Sequence, residues 1–457
     1  MKTYIKFENQ KLNELRGMLL KDLDKEYFAI LLGKMNKLDD VCIITVKDII
    51  PYKSRYEEQS VVSISVSSDF RAYCLEEVTN RVDVDTIIDV HTHPFSEGIP
   101  HFSSVDTGDE VEMKKYLIRK KVDVNYASIV FSRDMYSARL WECDKGKVYY
   151  KNAIIKTQKI SESIKASYDN LKSIKDEQKQ LEMFNRSLLA LGNDTLKSMM
   201  RGQVVSIVGV GGVGSIIGEN LIHMGFQEIN LIDFDEVEIS NLNRLVGVTY
   251  QDAIDKNKKV DCIKRHLEGI NPSANINAYC NSVYDREIEK VLAMSDWIFM
   301  TTDNYSSCVH IQDLAFKYYV PFISAATNIV VEDGNVTDMR GEVILVRIGD
   351  GFCMNCLGKI DKNELMFERV GDPQIREQLV QKNYVRGLDV KDPAVKTLNS
   401  MVATIATDVL INQYTERQMD QFVIVYENNE EGPVIYEDVK CVKHRDLSCG
   451  FCGGVNG

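Results

Sequence analysis

The first third of the chain alternates β-rich runs with two segments of helical period. The β-rich runs are YFAILLGKM, VCIITVKDII, VVSISVS, TIIDV, ASIVFS and YSARLWE. The helical segments are FRAYCLEEVTN and SVDTGDEVEMKKYLIRK, and the second opens with a serine and an aspartate, as helix caps do. From Tyr27 to about residue 150, this pattern predicts a compact α/β domain.

The pattern changes twice further along the chain. Residues 151–200 hold no proline, one glycine and many helix formers, which predicts a helical connection and dimerisation segment. From residue 201 onwards, VVSIVGV, GGVGSIIGENLIHMG and FQEINLIDFD read as strand, glycine-rich turn with helix, and strand. Apolar strands follow at WIFMTT and PFISAAT, so residues 201–457 predict a Rossmann-like, doubly wound parallel sheet.

Composition narrows the class of partner. A chain of 457 residues with 44% hydrophobic and 27% charged residues is typical of soluble protein with two or three domains. The net charge of −13, without a basic block, argues against a nucleic-acid partner. The opening MKTYIKFENQ lacks a signal core, and the longest uncharged run, Gly202 to Gly218, is too short to span a membrane. We therefore expect a cytoplasmic protein whose eleven cysteines are ligands, core residues or reactive thiols.

Two histidines follow the strand TIIDV with one threonine between them. Residues i and i+2 of a strand point to the same side, so His91 and His93 aim at one point. Asp106, in the first turn of the next helix, can complete a zinc site that keeps a position open for water. Ser103 would stand beside that water. A lone H-x-H is more often a polar surface loop, and His101 reads as a loop histidine.

An acidic residue upstream favours a metal site over a polar surface loop. Glu26 heads the strand EYFAILLG, and E-x-x-A-x-L-L-G, H-T-H-P and S-S-V-D together resemble the JAMM motif of the JAB/MPN metalloproteases, over about residues 20–150. The resemblance implies a peptidase or isopeptidase in which His91, His93 and Asp106 hold zinc. It also implies that Glu26 takes a proton from the activated water and that Ser103 stabilises the oxyanion. Nine residues separate His93 from Ser103, more than is usual in that family.

A glycine loop marks the second predicted site. GVGGVG fits G-x-G-x-x-G, in which backbone N–H groups approach phosphates, and Asp233 ends the next strand, where it could bond a ribose. These features suit NAD as well as ATP. Further along the chain are cations that could neutralise the phosphate charge of ATP and a carboxylate that could hold magnesium. Each of them taken alone would be interpreted as a solvated surface charge. The predicted nucleotide-binding residues are Gly209, Gly211, Gly212, Gly214, Asp233, Asn241, Arg244, Lys259 and Asp303, the last as a magnesium ligand.

Residues from about 180 to 455 resemble the ThiF/MoeB/HesA family, bacterial relatives of ubiquitin-activating enzymes. FNRSLLALG resembles the arginine-bearing helix of that family, which implies that Arg186 reaches the ATP site of the other protomer of a homodimer. Downstream, CMNC and CGFC read as a closed structural zinc site even without the family. Its predicted ligands are Cys353, Cys356, Cys449 and Cys452.

The family's thioester-forming cysteine has no counterpart between residues 357 and 440, which contain no cysteine. We expect an acyl-adenylate without a thioester on this chain, and transfer to a separate conjugating cysteine enzyme or a sulfur donor. The remaining cysteines near this fold read as packing residues: Cys262, Cys280, Cys308 and Cys441.

The two resemblances suggest one hypothesis, because both families act on the C-terminal tail of ubiquitin-like β-grasp proteins. The chain would cleave at that tail with a catalytic zinc and adenylate the carboxylate with ATP and Mg²⁺, while a second zinc is structural. One alternative is a peptide- or small-carboxylate-adenylating enzyme of natural-product or sulfur-carrier biosynthesis. Another is an NAD-binding protein with an inactive JAB-like scaffold, although the presence of Glu26 speaks against an inactive site.

Overall fold

The structure is a computed structural model that describes residues 1–8, 10–52, 66–96, 98–158, 177–200, 203–333, 335–370, 393–415, 417–429 and 432–452. It divides into two compact units, Met1–Lys172 and Ser173–Gly457. The strand predicted at VVSISVS and part of the predicted helical connection lie outside the described residues.

Within its described residues, the first unit is a closed barrel with strand order β1-β3-β2-β4-β5-β6-β7. The strands are β1 (Lys2–Lys6), β2 (Phe28–Leu38), β3 (Val41–Pro51), β4 (Thr86–Thr92), β5 (Asn125–Phe131), β6 (Tyr136–Asp144) and β7 (Lys147–Lys156). The helices are α1 (Lys11–Leu19), α2 (Ser68–Asn80) and α3 (Ser104–Arg119). The sequence reading missed β1, α1 and β7, and β1 closes the barrel by pairing in parallel with both β3 and β7.

Two hydrophobic clusters cover the two faces of this sheet. Ile88 and Val90 of β4 pack in one cluster with α1, whereas Ile87 packs in the other with Met113 of α3. Successive strand residues point to opposite faces. Odd-numbered residues of β4, including His91, therefore face the side of the sheet that α2 and α3 cover.

The second unit begins with three short helices, α4 (Glu177–Met183), α5 (Asn185–Leu191) and α6 (Asn193–Met200). Phe184, Leu196 and Met200 form a small buried cluster among them. The buried amides of Gln180 and Asn271 exchange two hydrogen bonds of 3.1 Å, which anchors α4 to the rest of this unit. The helical prediction for residues 151–200 therefore holds for the described residues from 177, but residues 151–156 belong to β7.

The sheet of the second unit has the order β10-β9-β8-β11-β12-β13-β14-β15. Its strands are β8 (Val204–Val208), β9 (Glu228–Ile232), β10 (Asn275–Tyr279), β11 (Trp297–Met300), β12 (Phe322–Glu332), β13 (Asn335–Val346), β14 (Val423–Asn429) and β15 (Gly432–Glu437). The pairings among β8 to β12 are parallel, as the sequence predicted. The antiparallel extension through β13, β14 and β15 was not predicted.

Helices connect these strands. They are α7 (Gly212–His223), α8 (Tyr250–Ile254), α9 (Lys259–Ile270), α10 (Arg286–Met294), α11 (Tyr305–Tyr318), α12 (Lys362–Arg369), α13 (Lys396–Thr415) and α14 (Val439–Lys443). The chain runs outward from β8 to β10 and then returns to the other side of β8 with β11. The carboxyl ends of β8 and β11 thus form the crevice at which doubly wound sheets bind ligands. Each helix within the described residues is too short or too polar to span a lipid bilayer.

Candidate functional site

Two histidines lie at the carboxyl end of β4. His91 pairs with Val130 of β5, and the His93 N–H donates to Phe131 O at 2.8 Å, so the sheet fixes both backbones. The two imidazole centroids are 5.0 Å apart. His101, by contrast, is exposed on the loop that follows.

Asp106 faces these histidines from the first turn of α3. Its Oδ1 lies 3.5 Å from His91 Nε2 and its Oδ2 lies 3.6 Å from His93 Nε2. A capping box holds the carboxylate in place, because Asp106 Oδ2 accepts the Ser103 N–H at 2.6 Å and Ser103 Oγ accepts the Asp106 N–H at 3.1 Å. The Ser103 side chain is exposed, and its own hydroxyl hydrogen can donate elsewhere.

The donor set fits zinc. Two ligand atoms bound at about 2.1 Å in a tetrahedral site lie about 3.4 Å apart, close to the two separations between Asp106 and the imidazoles. His91 Nε2 is buried and has no hydrogen-bond partner among the described residues, which is costly for a polar atom that binds nothing. Burial lowers the pKa of His93, and the neighbouring His91 lowers it further, which favours the neutral imidazole that a metal requires.

Glu26 lies just before β2, within electrostatic reach of this cluster. Burial raises the pKa of its carboxyl group; His91 lowers that pKa and Asp106 raises it. A carboxyl group with a raised pKa is suited to take up a proton near neutral pH. The structure therefore brings the three predicted ligands together with the predicted base on one side of the barrel.

The glycine loop joins β8 to α7 in the second unit. Gly209 has a φ of +88°, and a Cβ there would lie 2.8 Å from Thr301 O. A Cβ on Gly214 would lie 2.0 Å from Gly209 O, so side chains are excluded at both positions. Gly211 caps α7 and opens onto free space, which leaves room for an anion beside the helix N-terminus.

Asp233 follows β9 beside this loop. Its carboxylate accepts the N–H groups of Val210 and Asp235, both at 2.9 Å. Burial raises the pKa of Asp233, while the charge of Lys259 lowers it. Lys259 Nζ itself lies 2.7 Å from Asp235 Oδ2, so the two carboxylates and this ammonium form one group at the carboxyl end of the sheet.

Arg244 lies beside Gly212 of the loop. A Cβ on Gly212 would lie 3.2 Å from Arg244 Cδ, and Arg244 Nη1 donates to Ser240 O at 2.6 Å. Asn241 is buried, and its Oδ1 accepts the Glu238 N–H at 3.1 Å, so this amide oxygen stabilises the turn.

The other two predicted residues are exposed. Asp303 lies just beyond β11, at the crevice, whereas Arg186 lies on α5. The sequence reading missed Thr301, whose hydroxyl donates to the Val208 and Gly209 carbonyl oxygens. It also missed Asn399 on α13, a buried amide whose Nδ2 would lie 2.2 Å from a Cβ on Gly212. No local sequence pattern indicates Asn399, because its contact with Gly212 joins residues that are far apart in the chain.

The four cysteines of the two C-x-x-C pairs meet although they are far apart in sequence. Their sulfur atoms all lie within 4.8 Å of one another. Cys353 Sγ is 3.7 Å from Cys449 Sγ, and Cys356 Sγ is 3.6 Å from Cys452 Sγ. Zinc–sulfur bonds of about 2.3 Å in a tetrahedral site place sulfur atoms about 3.8 Å apart. The cluster therefore has dimensions that fit a structural zinc.

The cysteines predicted to be packing residues differ in exposure. Cys262 and Cys308 are buried, and burial raises the pKa of Cys262 to about 11. Cys441 is half-buried and donates to Leu357 O at 3.4 Å. Cys280 is exposed, so the prediction that it packs in the core is wrong; it follows β10, at the carboxyl edge of the sheet.

A family model describes much of this chain. The ThiF family model matches residues 184–451, which is more than half of the sequence. The chain therefore belongs to the ThiF family. This match covers the glycine loop, the Rossmann-like sheet and three of the four clustered cysteines, and it begins after the barrel of the first unit.

Curated relatives have different activities in their names. The tRNA threonylcarbamoyladenosine dehydratase of Bacillus subtilis is 30% identical over 149 residues, which are 32% of this chain and 56% of that protein. The molybdopterin-synthase adenylyltransferase of Escherichia coli is 28% identical over 179 residues, 39% of this chain and 68% of that protein. Ubiquitin-like modifier-activating enzyme 5 of Bombyx mori is 41% identical over 80 residues, 18% of this chain and 20% of that protein. This chain thus spans about half the length of the first of these relatives.

Solved structures that align with part of this chain include Escherichia coli MccB with MccA-N7isoAsn. That chain aligns with a TM-score of 0.47 and 18% identity, over 60% of this chain and 75% of its own length. The crystal structure of selenomethionyl PaaA aligns with a TM-score of 0.44 and 20% identity, over 58% of this chain and 84% of its own length.

Proposed function

We propose that this ThiF family member is a bifunctional enzyme that processes and activates a ubiquitin-like protein. The first unit would be a JAB/MPN zinc (iso)peptidase that cleaves at the C-terminal tail, and the second an ATP-dependent adenylyltransferase that activates the terminal carboxylate. The observation that carries the peptidase assignment is the convergence of His91 Nε2 and His93 Nε2 on the Asp106 carboxylate, which a capping box holds in place.

In the peptidase reaction, His91, His93 and Asp106 would hold the zinc. Bound zinc acts as a Lewis acid and lowers the pKa of water to about 7. Glu26 would accept the proton of the attacking water and later deliver it to the leaving amine. Ser103 Oγ would donate a hydrogen bond to the carbonyl oxygen as negative charge develops there.

In the second reaction, an oxygen of the tail carboxylate would attack the α-phosphorus of ATP. The bond from that phosphorus to the bridging oxygen of the β-phosphate breaks, and pyrophosphate leaves. Arg244, beside the glycine loop, and Lys259 would neutralise the phosphate charge, and Asp303 would hold magnesium, which neutralises charge on the departing oxygens. The cationic groups beside Gly212 and Asp233 favour a polyphosphate nucleotide over NAD.

A homodimer is part of this proposal. Arg186 is exposed on α5, and Leu189 on the same helix is 89% exposed. An exposed leucine beside an exposed arginine is suited to contact a second protomer, where Arg186 would complete the ATP site. No described residue offers a thioester cysteine between residues 357 and 440, so we propose that a separate conjugating enzyme or sulfur donor receives the activated tail.

The decisive experiment uses the full chain loaded with zinc. It would be incubated with a ubiquitin-like protein carrying a tail extension and, separately, with an isopeptide-linked conjugate. ATP–pyrophosphate exchange would be measured with the mature protein. We expect cleavage of at least one substrate and exchange that depends on the mature tail. If neither substrate is cut by zinc-loaded protein that still catalyses exchange, the peptidase assignment is wrong.

A second candidate function is adenylation of a peptide or small carboxylate. The names of the relatives differ in the molecule acted on, a tRNA nucleoside in one and molybdopterin synthase in another, so the likeness to them does not by itself select a ubiquitin-like protein. A short free peptide that supports exchange, when a folded ubiquitin-like protein does not, would establish this function instead. The net charge of −13 argues against tRNA itself as the substrate.

A further inference from the structure

Three alternate residues of β6 bond to the segment that leads from His93 into α3. Ser137 Oγ donates to Pro100 O at 2.6 Å, and Arg139 Nε donates to Glu110 Oε2 at 2.8 Å. Trp141 Nε1 donates to the same Glu110 oxygen at 2.6 Å. Because residues i, i+2 and i+4 of a strand share a face, this row is a continuous support for the segment.

Arg139 is the centre of this row. It is only 3% exposed, and its Nη1 and Nη2 each lie 3.3 Å from Thr107 Oγ1. The guanidinium carbon lies 3.7 Å from the ring centroid of Phe102, and that ring lies 6.0 Å from the ring of His91. One side chain therefore contacts residues on both sides of the Ser103–Asp106 capping box.

The strand register connects this support to the histidines. His91 pairs with Val130 and Val130 with Ser137, while the adjacent row on the same face runs from Asp89 through Ser128 to Arg139. Ser128 Oγ also donates to Glu110. The sheet that fixes the backbones of His91 and His93 therefore fixes α3 as well, through buried polar contacts from β5 and β6.

We propose that Arg139 is a positioning residue of the peptidase site, which holds Asp106 and Ser103 at the distance from the two histidines that zinc binding requires. This inference rests on the proposed zinc site. The nine residues between His93 and Ser103 do little by themselves to restrain Asp106, so the restraint comes from contacts of α3 with the sheet, to which Arg139 of β6 contributes. A planar guanidinium with five donors can bond Glu110 and Thr107 while stacking on a ring, and an ammonium cannot.

The test compares Arg139→Lys with Arg81→Lys in the full chain. Arg139→Lys retains the charge opposite Glu110 but loses the planar fork, whereas Arg81 pairs with Asp48 and Asp83 away from the metal ligands. Zinc affinity would be measured by chelator competition, and cobalt(II) spectra would separate the histidine site from the cysteine cluster, since only thiolates give intense charge-transfer bands. We expect Arg139→Lys to weaken zinc binding at the histidine site about tenfold or more, with the cysteine site and Arg81→Lys unchanged.

A second variant tests the same inference in case Arg139→Lys does not fold. Thr107→Val removes a half-buried hydroxyl that accepts from Arg139 and donates to Ser103 O at 2.9 Å, and Thr107→Ser, which retains both bonds, is the matched control. Weaker zinc binding in Thr107→Val than in Thr107→Ser supports the inference that the contacts between Arg139 and Ser103 position the site, even if Arg139→Lys does not fold. If the wild type binds zinc at the histidine site and both Arg139→Lys and Thr107→Val bind it equally well, only this inference is overturned. If the wild type binds no metal there, the peptidase assignment falls too.

Discussion

At the scale of single residues, Thr92 links the predicted base to the predicted ligands. It stands between the two histidines, and its Oγ1 accepts the Tyr27 N–H at 2.9 Å while its own N–H donates to Tyr27 O at 3.2 Å. These two bonds tie the segment that carries Glu26 to the end of β4. Thr92, between the two predicted ligands, therefore positions the segment of Glu26, the residue that would accept a proton from the attacking water.

Glu26→Gln tests that role. We expect it to lower tail cleavage by a factor of about 10² to 10⁴, the usual contribution of a general base, because the amide cannot accept the proton. Zinc content should not change, since Glu26 is not among the predicted ligands. Cleavage rate and bound zinc would be measured together, with Glu14→Gln on the exposed side of α1 as the control. Loss of zinc in Glu26→Gln would contradict the assignment as a base.

The glycine loop allows a matched pair of substitutions. Gly214→Ala places a Cβ 2.0 Å from Gly209 O, so we expect it to destabilise the second unit by about 1–3 kcal/mol, the usual effect of overpacking. Gly211→Ala meets no atom within 4 Å, so it should fold normally. It should nevertheless weaken ATP binding, because the methyl group occupies the space beside the N-terminus of α7. Urea unfolding and nucleotide affinity would be measured for both, and equal stability of the two variants would contradict the packing argument.

At the scale of elements, the segment of this chain after α14 is hydrogen-bonded to the loop that follows β13. Arg445 Nε donates to Gly351 O at 3.0 Å and the Asp446 N–H donates to Cys356 O at 3.0 Å, so hydrogen bonds hold the segments of the two C-x-x-C pairs together beside the sulfur cluster. Gln312 of α11 accepts the Met354 N–H at 2.8 Å and connects the cluster to the sheet.

Cys452→Ser tests whether the cluster binds metal. We expect this variant to contain one zinc less per chain than the wild type and to unfold at lower temperature, because a hydroxyl is a poor zinc ligand and structural zinc contributes to folding. Cys441→Ser is the control, since its thiol donates to Leu357 O and lies outside the cluster. Zinc content would be measured by atomic emission and stability by thermal melts. Equal zinc in both variants would refute the structural site.

Local sequence rules predicted some of these elements and missed others for a physical reason. The strand before His91 and the capping box of Ser103 are readable because both depend on neighbours within a few residues. The strand β1 is short, and its partners β3 and β7 are distant in sequence. Arg139 and Asn399 act through contacts with segments 29 or more residues away, which no local pattern reveals.

At the scale of the whole molecule, two units with separate cores carry separate predicted chemistry. The barrel holds the histidine cluster, and the Rossmann-like sheet holds the glycine loop. The two reactions should therefore respond independently to substitutions at the two sites. The adenylation reaction should additionally depend on the pairing of two chains through Arg186.

Mixing two inactive variants tests this pairing. Arg186→Ala and Lys259→Ala should each lack exchange activity as homodimers. Random mixing of protomers should restore about a quarter of wild-type exchange, since half of the dimers are mixed and each mixed dimer has one complete site. Exchange would be measured after subunit mixing, with each variant incubated alone as the control. Activity of Arg186→Ala alone, or no recovery on mixing, would refute the contribution from the second protomer.

Zinc bound by the four clustered cysteines, as we propose, would also close a ring in the polypeptide. The sulfur contacts of this cluster join positions 96 residues apart, and α13, with Asn399 against Gly212, lies inside that ring. Closing a ring of that size restricts the unfolded chain by roughly 4–5 kcal/mol if the link behaves like a covalent one. Removal of the proposed zinc would therefore loosen the segment that carries α13 against the glycine loop, so that metal supply would affect nucleotide binding.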